Sequence, residues 1–267
     1  MNELLEALIL GIVQGLTEFL PVSSSGHLEI MKYLMNDDSL AEQSMMTTVL
    51  LHFATALATI VVFRKDIVKI LAGLISSDKV NDSKKFAVYV LMSMIPAAMV
   101  GVFLDDWIEK FFHREIILVS CMLLVTGVIL FVSERAKDKG QKLNTYSAIT
   151  IGISQAIAIL PGISRSGATI STALLLGVSR SEAARFSFLM VIPLIFGKIA
   201  KDLITGDLVS HMPSAEYLTV GFLAAFITGI LACTLMIELV NRAKLSWFAF
   251  YCFIVGLSMI GYNLFIG

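Results

Sequence analysis

Four stretches of this sequence, 86–104, 116–133, 217–237 and 245–267, contain no charged side chain. A bilayer core is crossed by about 20 mostly apolar residues in helical form. Two further stretches pass the same test with small exceptions. Residues 47–63 hold His52 as their one ionisable group, and 183–200 hold Arg185 and Lys198 near their ends, from where long basic side chains snorkel to the surface. Six transmembrane helices are therefore expected.

Composition agrees: 57% of residues are hydrophobic and 15% charged, with a mean hydropathy of +0.85, whereas soluble domains carry roughly 25% charge. Twenty basic and twenty-one acidic residues leave a net charge of -1. No basic field exists to draw nucleic acid, and none is expected as a partner. Cys121, Cys233 and Cys252 stand far apart within apolar runs and read as small hydrophobic filler. The start, Met1-Asn2-Glu3-Leu4-Leu5-Glu6, is acidic where a secretory signal needs positive charge, so no cleaved leader is expected. Lys and Arg collect in 64–85 (six), 134–145 (four), 178–185 (two) and 238–244 (two), and thin out elsewhere. The positive-inside rule puts those segments in the cytoplasm and both chain ends outside.

Residues 3–35 and 143–177 are apolar but interrupted, by Pro21-Val22-Ser23-Ser24-Ser25-Gly26 and by Pro161-Gly162-Ile163-Ser164-Arg165-Ser166-Gly167. Each reads as a helix, a break and a second helix. Full crossings would spoil the alternation of basic and non-basic segments, so each is expected to be a re-entrant hairpin. Backbone that leaves the helix at membrane depth survives only where protein buries it or water fills a cavity. The breaks are therefore candidate sites.

The two segments also resemble each other. Gly11-Ile12-Val13-Gln14 matches Gly152-Ile153-Ser154-Gln155, and fifteen residues after each leading glycine stands the glycine of Ser23-Ser24-Ser25-Gly26 or Ser164-Arg165-Ser166-Gly167. Three crossings lie between the copies. An odd number inverts the second hairpin, so the expected architecture is one all-α membrane domain, 1–267, made of inverted repeats at about 1–140 and 141–267 whose tips meet near the midplane. That architecture serves transporters as well as enzymes.

From 143 to 179 the only charged side chain is Arg165, set between serines and glycines. A lone arginine at that depth costs about 2.5–3.5 kcal/mol or more. Its planar fork suits a phosphate or carboxylate, and the amides of Ser164, Ser166 and Gly167 at a helix start form an anion site. A structural arginine neutralised by Glu18 is the compatible plainer reading. In the first copy, Gln14 and Glu18 share a helical face, and the break adds Ser23, Ser24, Ser25, Gly26 and His27. Acid, hydroxyls and imidazole make a hydrolytic set; the serines alone are equally suited to bonding freed backbone groups. The second copy has Ile159 and Ala168 at the places of Glu18 and His27. His52 reads first as a core histidine and second as a neighbour of the site, and His113 and His211 as solvated loop residues. Arg180, Glu182 and Arg185 read as the charged start of a helix, and no phosphate loop, Cys-x-x-Cys pair or His-Glu-x-x-His motif occurs.

The run Gln14-Gly-Leu-Thr-Glu18-Phe-Leu-Pro-Val-Ser-Ser-Ser-Gly-His27, with Pro161-Gly-Ile-Ser-Arg165-Ser-Gly167, resembles the undecaprenyl-diphosphate phosphatase (UppP, or BacA) family of bacterial inner-membrane enzymes. The likeness extends through His52-Phe53 and Phe63-Arg64-Lys65-Asp66 over essentially the whole chain. It implies hydrolysis of undecaprenyl diphosphate to undecaprenyl phosphate and inorganic phosphate, recycling of the lipid carrier for peptidoglycan, and bacitracin resistance. It further implies an inner-membrane location and a polyprenyl lipid as substrate; a homodimer is left open as a partner. On this reading Arg165, helped by Ser164 and the helix-start amides, holds the diphosphate; Ser24 is the candidate nucleophile; His27 is the general acid or base. Glu18 orients His27 or ligates a divalent cation, Mg²⁺ or Ca²⁺, together with substrate phosphates. Gln14 stands where the family motif has Glu or Gln and supports rather than ionises. Direct attack by water, a phosphorylated histidine, and a carrier or flippase of an anionic polyprenyl lipid are the alternatives.

Overall fold

The computed structural model describes residues 2–35, 41–76, 81–103, 115–137, 139–205, 213–242 and 244–265. His113 and His211, read above as solvated, lie outside these residues. The described residues form eleven helices and no strand: α1 (Glu3–Phe19), α2 (Ser24–Met35), α3 (Ala41–Val62), α4 (Arg64–Ile75), α5 (Asp82–Phe103), α6 (Ile116–Ser133), α7 (Thr145–Ile157), α8 (Arg165–Leu175), α9 (Arg180–Thr205), α10 (Ala215–Arg242) and α11 (Ser246–Phe265). Among the described residues, each stretch expected to cross the membrane is occupied by a helix over nearly its whole length. Among the described residues, α5, α6, α9, α10 and α11 are each long and apolar enough to cross, while α3 passes the test only together with α4, from which it is bent by 77°. The chain is an all-α integral membrane protein.

Its helices are apolar on both faces. Leu231, Leu235, Ile254 and Leu257 are exposed on α10 and α11, an arrangement that lipid accepts and water does not. In lipid, association comes from close packing, which favours small residues. Gly11 and Gly15, one turn apart on α1, lie so close to α10 that a Cβ on either would meet Gly221 O or Thr228 Oγ1. Gly152 on α7 lies equally close to Ser93 of α5. These contacts bind α1 to α10 and α7 to α5, while α6 packs along α11 and α3 against both α9 and α10. A buried aromatic group, in which Phe19 and Phe63 both meet the ring of Phe188 at centroid distances of 5.8 and 6.1 Å, joins α1, the end of α3 and α9.

Both expected breaks are present, between α1 and α2 and between α7 and α8. The first turns at Ser23, the one non-glycine residue with positive φ (72°) among those described, and the second at Gly162 (φ 94°). A side chain at Gly162 would run into Val119 O and Met122 as well as adopting a strained backbone. Thr126 of α6 then satisfies the second break from outside: its hydroxyl donates to Gly162 O (2.9 Å) and accepts the Ser164 amide (3.0 Å). The breaks also touch. Ser166 Oγ donates to Leu20 O at 3.2 Å, and a Cβ on Gly26 would come within 3.0 Å of Gly162 Cα.

Candidate active site

The last two turns of α1 deliver Gln14 and Glu18 to the contact of the two breaks, both buried. Their spacing does what was expected of it: Gln14 Nε2 donates to Glu18 Oε2 at 3.1 Å. The start of α2 adds Ser24, whose hydroxyl donates to the same oxygen at 2.7 Å. From the second break, Arg165 Nη2 donates to Glu18 Oε1. Ser24 and Arg165 therefore meet on the two oxygens of one carboxylate. Arg165 Nη1 is held by Ser187 O of α9 at 3.0 Å, and Thr169 ties the region together by donating to Arg165 O (2.8 Å) while sharing a hydrogen bond with Ser187 Oγ (2.6 Å).

Burial divides the remaining residues of the breaks. Ser24, Ser25 and Arg165 are half-buried, whereas Ser23, Gly26, Ser164, Ser166 and Gly167 are buried. The buried set is engaged with backbone. Ser23 Oγ accepts the Gly26 amide (3.2 Å), and Ser164 Oγ accepts the Gly167 amide (3.0 Å) as the N-cap of α8. Ser25 Oγ lies 3.4 Å from Ser23 Oγ, and Ser166 Oγ lies 3.3 Å from Ser164 Oγ. In this arrangement Ser164 caps α8 through the Gly167 amide, and Ser166 joins the two hairpins.

The histidines exchange the places expected of them. His27 is not joined to Glu18 by any hydrogen bond or ion pair; its Nδ1 donates to Ser23 O and its Nε2 pairs with Tyr251 OH, both at 2.8 Å, with the two rings stacked. The reason is geometric: in the first turn of α2 the ring reaches back to the carbonyl four residues earlier and outward to α11. His52 of α3, read first as core, is the histidine beside the acid, with Nε2 3.5 Å from Glu18 Oε2. Its Nδ1 donates to Thr48 O at 2.8 Å, which directs the other nitrogen at the carboxylate. Thr55, one turn further along α3, lies 3.5 Å from Gln14 Nε2. A sequence signal for this wall existed: Thr48, His52, Thr55 and Thr59 recur on one helical face of the otherwise apolar run 48–62.

Among the described residues no group of three or more His, Cys, Asp or Glu side chains converges to hold a metal ion. A cation held mainly by phosphate oxygens is still compatible with Glu18 and with Gln14 Oε1, a buried acceptor that has no partner. As it stands, the cluster pairs a hydroxyl with a carboxylate acceptor and sets an arginine against them. That is an arrangement for deprotonating an alcohol next to a bound anion.

Relatives of the chain are named undecaprenyl-diphosphatases. It is 55% identical to an undecaprenyl-diphosphatase of Christiangramia forsetii over 97% of each chain. It is 45% identical to one of Bacteroides thetaiotaomicron over 96% of this chain and 97% of that one. It is 41% identical to one of Methanococcus vannielii over 97% and 100%. The sequence profile of the bacitracin resistance protein BacA matches residues 7–258. With the profile spanning nearly the whole chain, the protein belongs to the BacA family of bacitracin resistance proteins.

Proposed function

We infer that this protein hydrolyses undecaprenyl diphosphate to undecaprenyl phosphate and inorganic phosphate, returning the lipid carrier to peptidoglycan synthesis and conferring resistance to bacitracin. The carrying observation is the Ser24–Glu18–Arg165 cluster where the two breaks touch. A diphosphate competes with Glu18 for the guanidinium. As Arg165 moves its fork to the phosphate oxygens, Glu18 is freed to accept the Ser24 proton. Ser24 Oγ then bonds to the terminal phosphorus as the bond to the bridging oxygen breaks, and undecaprenyl phosphate leaves. Water hydrolyses the phosphoserine: His27, left without its proton by the departure of the lipid, takes the proton of water while Glu18 returns its proton to Ser24 Oγ, and inorganic phosphate is released. Arg165 stabilises the charge on the transferring group throughout, the largest single contribution in phosphoryl transfer.

His27, one turn along α2 from Ser24, is the proton donor to the departing lipid phosphate in this reading, with Tyr251 holding its ring. A divalent cation shared by Glu18, Gln14 and the phosphates would neutralise charge on the diphosphate. The prenyl tail stays between helices in the bilayer. The fold is read as six crossings with two re-entrant hairpins in inverted repeats of about 1–140 and 141–267. Its support is the pairing pattern: exchanging the halves turns the α1 and α10 pair into the α7 and α5 pair, and leaves α6 beside α11. The family supports a bacterial inner-membrane location, and the basic segments support placing both termini outside.

Phosphate release from undecaprenyl diphosphate by the purified protein in detergent tests this reading, comparing wild type with Glu18→Ala, His27→Ala and Arg165→Ala, with and without chelator. Loss of release in each variant is expected, and chelator sensitivity would put the cation in the site. Wild type that binds the lipid and releases no phosphate would sink the hydrolase and favour a lipid carrier.

A further inference from the structure

A second charged group lies close to the site and takes no part in the chemistry above. On α2, Lys32 and Glu29 form an ion pair of 3.2 Å whose side chains are only 10% and 11% exposed. Lys32 Nζ also donates to Thr48 Oγ1 at 3.0 Å. Thr48 O accepts from His52 Nδ1, and His52 Nε2 lies 3.5 Å from Glu18. Polar groups of α2 and α3 therefore run without interruption from Glu18 to Lys32, and the step from His52 to Thr48 is one helical turn, about 5.4 Å. From the tip, this line heads to the end of the bundle where α2 ends and α3 begins.

Stability does not account for the pair. Burying two charges costs several kcal/mol per ion, and apolar side chains of equal volume usually serve a fold as well or better. Charged side chains at membrane depth as a rule mark paths for polar solutes. The proposed reaction, on which this inference rests, creates one such solute. Undecaprenyl phosphate keeps its tail and leaves through lipid. Inorganic phosphate has no apolar part and must leave across polar groups.

We propose that Lys32 and Thr48 form a product subsite that takes inorganic phosphate after Arg165 and passes it out along α2 and α3. Charge-assisted hydrogen bonds from Nζ and a hydroxyl suit a phosphate oxygen. Glu29 keeps the subsite weak, because its carboxylate competes with phosphate for the same ammonium, and a release site has to let its ligand go.

The test is inhibition of undecaprenyl diphosphate hydrolysis by added inorganic phosphate, measured on the full-length protein in detergent. Lys32→Gln should raise the phosphate concentration for half inhibition by about tenfold, the loss of one charge-assisted contact. Glu29→Gln, which removes the competitor, should lower it severalfold, and KM for the lipid should stay within about twofold in both. Opposite shifts are the signature, since a merely structural pair gives none. The double variant Glu29→Gln/Lys32→Gln, which leaves no buried orphan charge, should behave like Lys32→Gln and serves if that single variant does not fold. Equal inhibition in all variants, shifts in the same direction, a raised KM in Lys32→Gln, or wild type insensitive to phosphate would overturn the subsite. Wild type that hydrolyses no lipid would instead overturn the functional reading.

Discussion

The first break, between α1 and α2, and the second, between α7 and α8, each carry a serine whose hydroxyl accepts the amide of the glycine that follows three residues later. They manage their backbone differently. In the first, Ser23 itself takes the left-handed conformation at φ 72°; in the second, Gly162 takes it and Ser164 stays extended at φ -71°. A non-glycine residue in that region costs about 1–3 kcal/mol and persists where surroundings hold it. The strain lies next to Ser24, the hydroxyl aimed at Glu18. The second break has no such strain, is satisfied from outside by Thr126, and presents a single cation. On the proposed mechanism the first break is the reactive tip and the second the supporting one, and their serines should fail in different ways.

The largest expected effects lie on the shared carboxylate. Glu18→Gln and Arg165→Ala should each lower kcat/KM by about a thousandfold or more, with folding retained, as judged by phosphate release and thermal unfolding in detergent. Ser24→Ala should fall by a similar factor. Ser164→Ala, at the capping counterpart of Ser23, should lose about 1 kcal/mol of stability as an N-cap and keep most of its rate. Equal rate losses at Ser24 and Ser164 would erase the distinction between the tips. Gly162→Ala should destabilise by about 2 kcal/mol or more, combining a forbidden backbone with the clash at Val119 O. The smallest effect is expected at Ser23→Gly. There the relief of strain, about 1 kcal/mol, is offset by loss of the hydroxyl that accepts the Gly26 amide. A change in rate without a change in stability would tie that strain to catalysis.

Much of this was legible before any coordinates. Charge-free apolar runs located the long helices, because lipid leaves a backbone no other choice. The interruptions at Pro21 and Pro161 located the breaks, and the spacing of Gln14 and Glu18 gave their contact. The lone Arg165 needed a carboxylate, and Glu18 is the one it has. What could not be read were contacts made by packing alone. His27 is the histidine nearest Ser24 along the chain and one of two expected partners of Glu18, but its ring is turned toward Tyr251. His52 arrives from another helix, through the docking of α1 on α3 and α10. Nor does a run of Ser and Gly reveal which hydroxyls face a ligand: Ser164 and Ser166 look as available as Ser24 in sequence and are instead bound up with backbone and each other.

That Ser24 of one break and Arg165 of the other belong to a single hydrolytic site is tested most directly by a double-mutant cycle on kcat/KM for undecaprenyl diphosphate, using Ser24→Ala, Arg165→Ala and the double variant. Groups that act as one unit give strongly non-additive losses. The double variant should be no more than about tenfold slower than the worse single variant. Losses that multiply, so that the double variant falls by the product of the two single factors, would place the two residues in independent roles and contradict a shared site.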